Sequence, residues 1–171
     1  MLALALSPAV VPSVRSQETL ESAVKATYLY KFAPFIDWPA VSTPGTPLAL
    51  CVIGADPFGA VLDRVVTGQT VAGRPIVVRR LAKAAADSPC QIAFIGGSRA
   101  QSVKEALAAL HTAPVLTVTD GATTPGMVDF VPSGGRVRFQ VDDQAAADSG
   151  LRISSKLLSL ATSVRPRTPA P

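Results

Sequence analysis

The sequence predicts an α/β fold: a single domain with a mainly parallel sheet, helices on both faces and a C-terminal antiparallel hairpin. Short apolar, β-branched runs alternate with helical periodicity as far as residue 120, the pattern of repeated strand, helix, strand units. Beyond that point two strand-like runs flank a Pro-Ser-Gly-Gly loop. The 171 residues, 48% apolar and only 16% charged, suit one packed domain rather than two domains or a disordered chain.

The first element is a helix over Thr19 to Phe32, because Leu20, Val24, Tyr28 and Phe32 recur every four residues with Ala23 and Thr27 beside them. Ser16 or Thr19 supplies its cap, Pro34 and then Trp38-Pro39 close it, and Val41 to Pro47 is a turn-rich connector. Leu48 to Ile53, ended by Gly54, reads as a fully buried strand. Asp56 caps and Pro57 opens a helix through Val61, Leu62, Val65 and Val66 to Gly68. Arg74 to Leu81 is the second strand and Cys90 to Ile95 the third. Gly96-Gly97-Ser98 then leads into a helix over Arg99 to Leu110, capped by Ser98. Val115 to Val118 is the fourth strand. Met127 to Val131 and Arg136 to Val141 form the hairpin around a four-residue loop. Asp142 or Asp143 caps a short helix ending near Gly150, and a last amphipathic helix carries Ile153, Leu157, Leu158, Leu160 and Ala161.

Both termini are set apart from the domain, which spans residues 18–164. Residues 1–17 read as a signal-like or disordered segment. Their first fourteen residues are apolar and uncharged like the core of a secretory signal without its basic start, too short for a membrane span of about 20 residues and interrupted by Pro8 and Pro12. Residues 165–171, with three prolines, read as a solvated, disordered tail.

The net charge of +4 does not mark a nucleic-acid surface. Residues 1–149 carry twelve basic and twelve acidic side chains, so the excess comes from Arg152, Lys156, Arg165 and Arg167, a basic end and not a basic face. Nine aromatic residues are few for a base-stacking platform. One histidine and two cysteines with no close-spaced pair leave no basis for a zinc site, and no cofactor is expected. Ser98, His111 and Asp120 are the residue types of a nucleophilic triad, but Ser98 lacks a nucleophile elbow and His111 sits where a helix C-terminus favours a cation. The Gly54-Ala-Asp-Pro-Phe-Gly59 loop lacks dinucleotide spacing, and its aspartate would repel a phosphate. No catalytic residue is assigned, and an enzyme is not expected.

Four pieces of the chain resemble the YfiR family of periplasmic α/β proteins, over about Val24 to Val164. They are Ala26-Thr-Tyr-Leu-Tyr-Lys-Phe32 leading to Trp38-Pro39, Cys51-Val-Ile-Gly-Ala-Asp-Pro-Phe-Gly59, and Gly73-Arg-Pro-Ile-Val-Val-Arg79 with Cys90-Gln-Ile-Ala-Phe-Ile-Gly96. The most specific is Arg136-Val-Arg-Phe139 followed by Gly150-Leu-Arg-Ile-Ser-Ser-Lys-Leu-Leu158. The resemblance implies a non-catalytic periplasmic regulator that binds the periplasmic domain of an inner-membrane signalling protein, above all a diguanylate cyclase, and represses cyclic di-GMP synthesis. Other relatives look like accessory proteins of sensor kinases or outer-membrane transport systems, and a small-ligand-binding role at the C-terminal ends of the strands is the alternative. The chain departs from the family pattern at Pro34, at Gln140-Val-Asp-Asp143, and in holding two cysteines where some relatives have four.

Within that reading, Cys51 and Cys90 are expected to form a disulfide, since the count is even and the first and third strands are plausible neighbours in a doubly wound sheet. Arg136 and Arg138 occupy alternate strand positions and project from one face, either a solvated face of the hairpin or a contact surface for an acidic partner. Tyr30, Phe35 and Trp38 fall off the helical stripe and are candidates either for core packing or for an exposed partner-binding patch. No membrane span is expected in the chain, and a homodimer stays open.

Overall fold

The computed structural model describes residues 14–39 and 45–168, with side chains from Leu20 onward apart from that of Ser133. The expected leader therefore lies outside the described residues up to Ser13, as do most of the Val41 to Pro47 connector and the last three residues of the tail. Helix α1 (Val14–Lys31) is followed by a 3-10 turn (Ala33–Phe35) and the two-residue strand β1 (Ile36–Asp37). Then come β2 (Leu48–Gly54), α2 (Ala60–Val66), β3 (Thr70–Val71), β4 (Arg74–Leu81), β5 (Ile92–Gly97), α3 (Val103–Leu110) and β6 (Leu116–Asp120). The hairpin β7 (Val128–Ser133) and β8 (Arg136–Asp142) precedes α4 (Asp143–Asp148), β9 (Arg152–Ile153), α5 (Ser155–Leu158) and β10 (Val164–Arg165).

The main sheet runs β10-β8-β7-β6-β5-β2-β4-β3. Strands β4, β2, β5, β6 and β7 are mutually parallel, β8 turns back antiparallel on β7, and β3 turns back on β4. This is the expected fold class, a mainly parallel sheet with a C-terminal hairpin. Strand alternation divides the core into two layers. Leu48, Leu50 and Val52 of β2 enter the larger one with Ala26, Leu29 and Phe32 of α1 and Leu62 and Val66 of α2. Cys51 and Ile53 of the same strand enter the smaller one with Ala106 and Leu110 of α3. An aromatic cluster closes the larger core, with Phe32 stacked on Phe130 and edge-on to Phe139, its centroid 6.0 and 5.2 Å from theirs. Phe130 and Phe139 lie directly opposite each other in the hairpin register.

Cys51 and Cys90 are disulfide-bonded across a Cα separation of 5.8 Å. The bond ties the middle of β2 to the segment entering β5, its neighbour in the sheet. It closes 39 residues of chain, which in the chain-entropy model stabilises the fold by about 4 kcal/mol.

Several local expectations are corrected. Helix α1 begins at Val14, so Ser16 and Thr19 lie inside it rather than capping it. Asp56 does not cap α2. Its Oδ1 accepts from the amides of Phe58 and Gly59, forming a turn one step before the helix. Ser98 does not cap α3 either: Ser102 does, in a capping box with Glu105, and the helix starts four residues later than expected. The hairpin loop is two residues, Gly134-Gly135, both at positive φ, because glycine at both central positions permits the tight turn that matches strand twist. Ile153 belongs to β9, paired antiparallel with Ile36 of β1, and only a single turn, α5, follows it, where an amphipathic helix was expected.

The C-terminal residues up to Thr168 pair with the domain while most of them stay exposed. Strand β10 pairs in parallel with β8, Arg165 bonds Asp142, and Arg167 makes two bonds, of 2.6 and 2.7 Å, to the carboxylate of Asp143. Their positive charges, half of the terminal excess, are spent on two aspartates of the domain. The Arg167 guanidinium is held above its ordinary pKa by that bond to Asp143.

Candidate partner-binding site

The sequence stripe on α1 explains how a surface site arises beside the core. In a helix of 3.6 residues per turn a row spaced strictly by four drifts about 40° per step. Over three steps, from Leu20 to Phe32, the row turns through about 120° and cannot keep facing one sheet. The structure shows the consequence: Phe32 is 1% exposed, whereas Val24 is 37% and Leu20 67% exposed. The residues that follow the sheet instead are Ala26, Leu29 and Phe32, at spacing three.

Between this exposed half of α1 and the tip of the hairpin lies a groove of 620 Å³. Leu20, Val24 and Tyr28 line it from the helix, and Val131, Pro132 and Val137 from the hairpin. Arg136 and Arg138 also line it; both are exposed, and neither is in an ion pair among the described residues. Lys25 is different. Its ammonium bonds Glu21 at 2.5 Å and Asp120, at the end of β6, at 2.6 Å. Burial alone pulls its pKa down, but the bonds to Asp120 and Glu21 outweigh that and hold it above the ordinary lysine value. The bond to Asp120 anchors α1 to the sheet, and among the described residues Arg136 and Arg138 are the groove's uncompensated charge. A second concavity of 370 Å³, lined by Ala23, Val24, Thr27, Tyr28 and Lys31, runs along the other flank of the same helical row.

The structure thus separates the residues singled out in the sequence. Arg136 and Arg138 come together at the groove. Tyr30, Phe35 and Trp38 do not join them: all three are half-buried and pack against the larger core. The Phe35 carbonyl accepts from Ser154, beside the β1 and β9 pair, and the Lys31 ammonium lies 6.0 Å from the Tyr30 ring centre. Leu20 and Val24 belong to the apolar stripe read from the sequence but leave the core, as their strict spacing of four requires.

The other chemical-looking residues are placed apart. Ser98 follows β5 and Asp120 ends β6 at one end of the sheet, while α3 carries His111 back to the other end. Strands β2 and β5 form the point where connections leave the sheet in opposite directions, α2 on one face and α3 on the other, which is where α/β sheets bind ligands. The crevice there, of 330 Å³, includes Asp56 and Asp120. Both carboxylates are already engaged, Asp56 by Arg80 and Asp120 by Lys25. Gly96 and Ala55, which line it, approach so closely that a Cβ added to Gly96 would sit 2.0 Å from the carbonyl oxygen of Ala55. Among the described residues no group of three or more His, Cys, Asp or Glu side chains is placed to hold a metal ion, and no helix is long and apolar enough to cross a membrane.

No curated protein matches the sequence. A family model described as YfiR/HmsC-like does match, over residues 22–162, a span that runs from α1 through the paired sheet, the disulfide and the hairpin to the turn before β10. On that match the chain belongs to the YfiR/HmsC-like family.

Proposed function

We propose that the protein is a non-catalytic periplasmic regulator that binds the extracytoplasmic domain of an inner-membrane signalling protein, a diguanylate cyclase, and holds it inactive. Family membership supports a periplasmic regulator in cyclic di-GMP control rather than an enzyme. The observation that carries the binding role is the groove beside α1, where large apolar side chains stay exposed next to two arginines that are in no ion pair among the described residues. Isolated exposed apolar residues are ordinary, but a contiguous apolar surface edged by charge marks an interaction site. Export accompanies this reading: the first 15 or so residues are removed as a leader, and the functional domain is the remainder, carried past Val164 by strand β10. The disulfide supports an oxidising compartment.

The ligand-binding alternative draws less support. Both carboxylates of the crevice at the strand ends are neutralised within the chain. Deleting the gene and measuring cellular cyclic di-GMP tests the proposal. The expected result is a rise, reversed by the intact gene; an unchanged level defeats the cyclase assignment.

A further inference from the structure

Resting on that regulatory reading, we infer that the partner element seated on α1 is an amphipathic α-helix with acidic flanks. Leu20, Val24 and Tyr28 form one row of side chains four residues apart, and Ala23, Thr27 and Lys31 form the next. A concavity lies on each side of the first row, one of 620 Å³ towards the hairpin and one of 370 Å³ between the two rows. A ridge with a groove on either side is the surface that helix-to-helix packing uses, the ridges of one helix entering the grooves of the other. Ala23 and Thr27 are short enough to let a second helix axis approach closely. An extended strand would use this surface poorly, because the backbone of α1 is internally hydrogen-bonded and has no edge to extend.

Charge then selects among helices. Arg136 and Arg138 on the hairpin side and exposed Lys31 on the other side have no carboxylate partner among the described residues, while Glu21 is taken up by Lys25. A helix whose apolar stripe is flanked by Asp or Glu would meet cations on both sides. A second copy of this chain would bring the same three cations toward their equivalents, so a self-paired α1 is disfavoured.

The test places a photo-reactive benzoylphenylalanine at position 20, 23 or 27 of the full chain, irradiates the native cell envelope, and maps the residues to which each position becomes linked. The expected adducts fall on one acidic partner segment, three or four residues apart. Arg136→Glu with Arg138→Glu lowers their yield about tenfold. Each variant's thermal unfolding is compared with the parent's, so that lost yield reports docking and not misfolding. Adducts two residues apart, adducts on a second copy of this chain, adducts on a segment without acidic residues, or no adducts at all overturn the inference. If no helix is captured but gene deletion still raises cyclic di-GMP, the inference fails and the regulatory reading stands. If a helix is captured while cyclic di-GMP is unchanged by deletion, the reverse holds.

Discussion

Arg80 shows how a single side chain can couple three elements of this fold. From β4 its guanidinium bonds Asp56 at 2.7 Å, in the turn before α2, and Asp63 at 2.8 Å, within α2. Burial raises the pKa of Asp56, but the bond from Arg80 and the amides of Phe58 and Gly59 outweigh it and hold the carboxyl below the ordinary aspartate value. The bond from Arg80 likewise lowers Asp63. A carboxyl depressed in the folded state stabilises the fold above its unfolded pKa, and that contribution is lost as pH falls through the folded value. Asp63 is half exposed, so solvent screening limits each pair to about 0.5 to 1 kcal/mol. Arg80→Met is therefore expected to lower stability at pH 7 by about 1 kcal/mol, and the gap from the parent should narrow as pH drops below about 4. Urea unfolding of both proteins at pH 7, 4.5 and 3 checks this; a gap independent of pH would show that the arginine acts through packing alone.

At the scale of elements, the C-terminal strap makes the sharpest claim. Asp143 opens α4 with its side chain only 6% exposed, and its carboxylate is met by both nitrogens of the Arg167 fork. Removing the arginine would leave a buried carboxylate without its counter-ion, so Arg167→Ala should cost about 2 kcal/mol and free β10 from β8. Hydrogen exchange at the Val141 amide, which donates to the Ser163 carbonyl, is the direct readout, and unchanged protection would refute the strap. The sequence makes long elements readable and short ones obscure, for a physical reason. Apolar runs such as Leu48 to Ile53 and the alternation of Arg136 to Val141 carry their own signal, since burial on one or two faces dictates their composition. Strands β1, β9 and β10 are two residues long and exist because a distant partner supplies hydrogen bonds, so nothing local announces them. The start of α3 is ambiguous in the sequence: Ser98-Arg-Ala-Gln101 and Ser102-Val-Lys-Glu105 both fit the capping-box pattern, and only the second forms because the Gln101 amide bonds the backbone of Ala84 instead.

For the whole molecule, the sheet, its two cores and the disulfide form a scaffold, and the groove is where that scaffold leaves α1 uncovered. The hairpin arginines were legible as part of this surface because a strand's period of two fixes which residues share a face. The apolar half was not, because how far the sheet extends beneath a helix depends on contacts between distant segments. This separates two kinds of substitution. Tyr30, Phe35 and Trp38 pack on the larger core, so truncating them would disturb stability together with any partner contact. Leu20 and Val24 bear on the groove while remaining exposed, and substitutions at such surface positions usually change stability by less than about 0.5 kcal/mol. Burying a carboxylate where an apolar side chain packs at an interface costs more than the lost apolar contact alone, because the charge must be desolvated. Leu20→Glu with Val24→Glu should therefore leave the denaturant midpoint of the purified protein near the parent's while raising cellular cyclic di-GMP toward the level of the gene deletion. The introduced carboxylates would also lie near Arg136 and Arg138 and satisfy them within the chain, removing the charge that the partner helix is drawn to. Repression that survives this double substitution in a stably folded protein would move the regulatory surface away from α1.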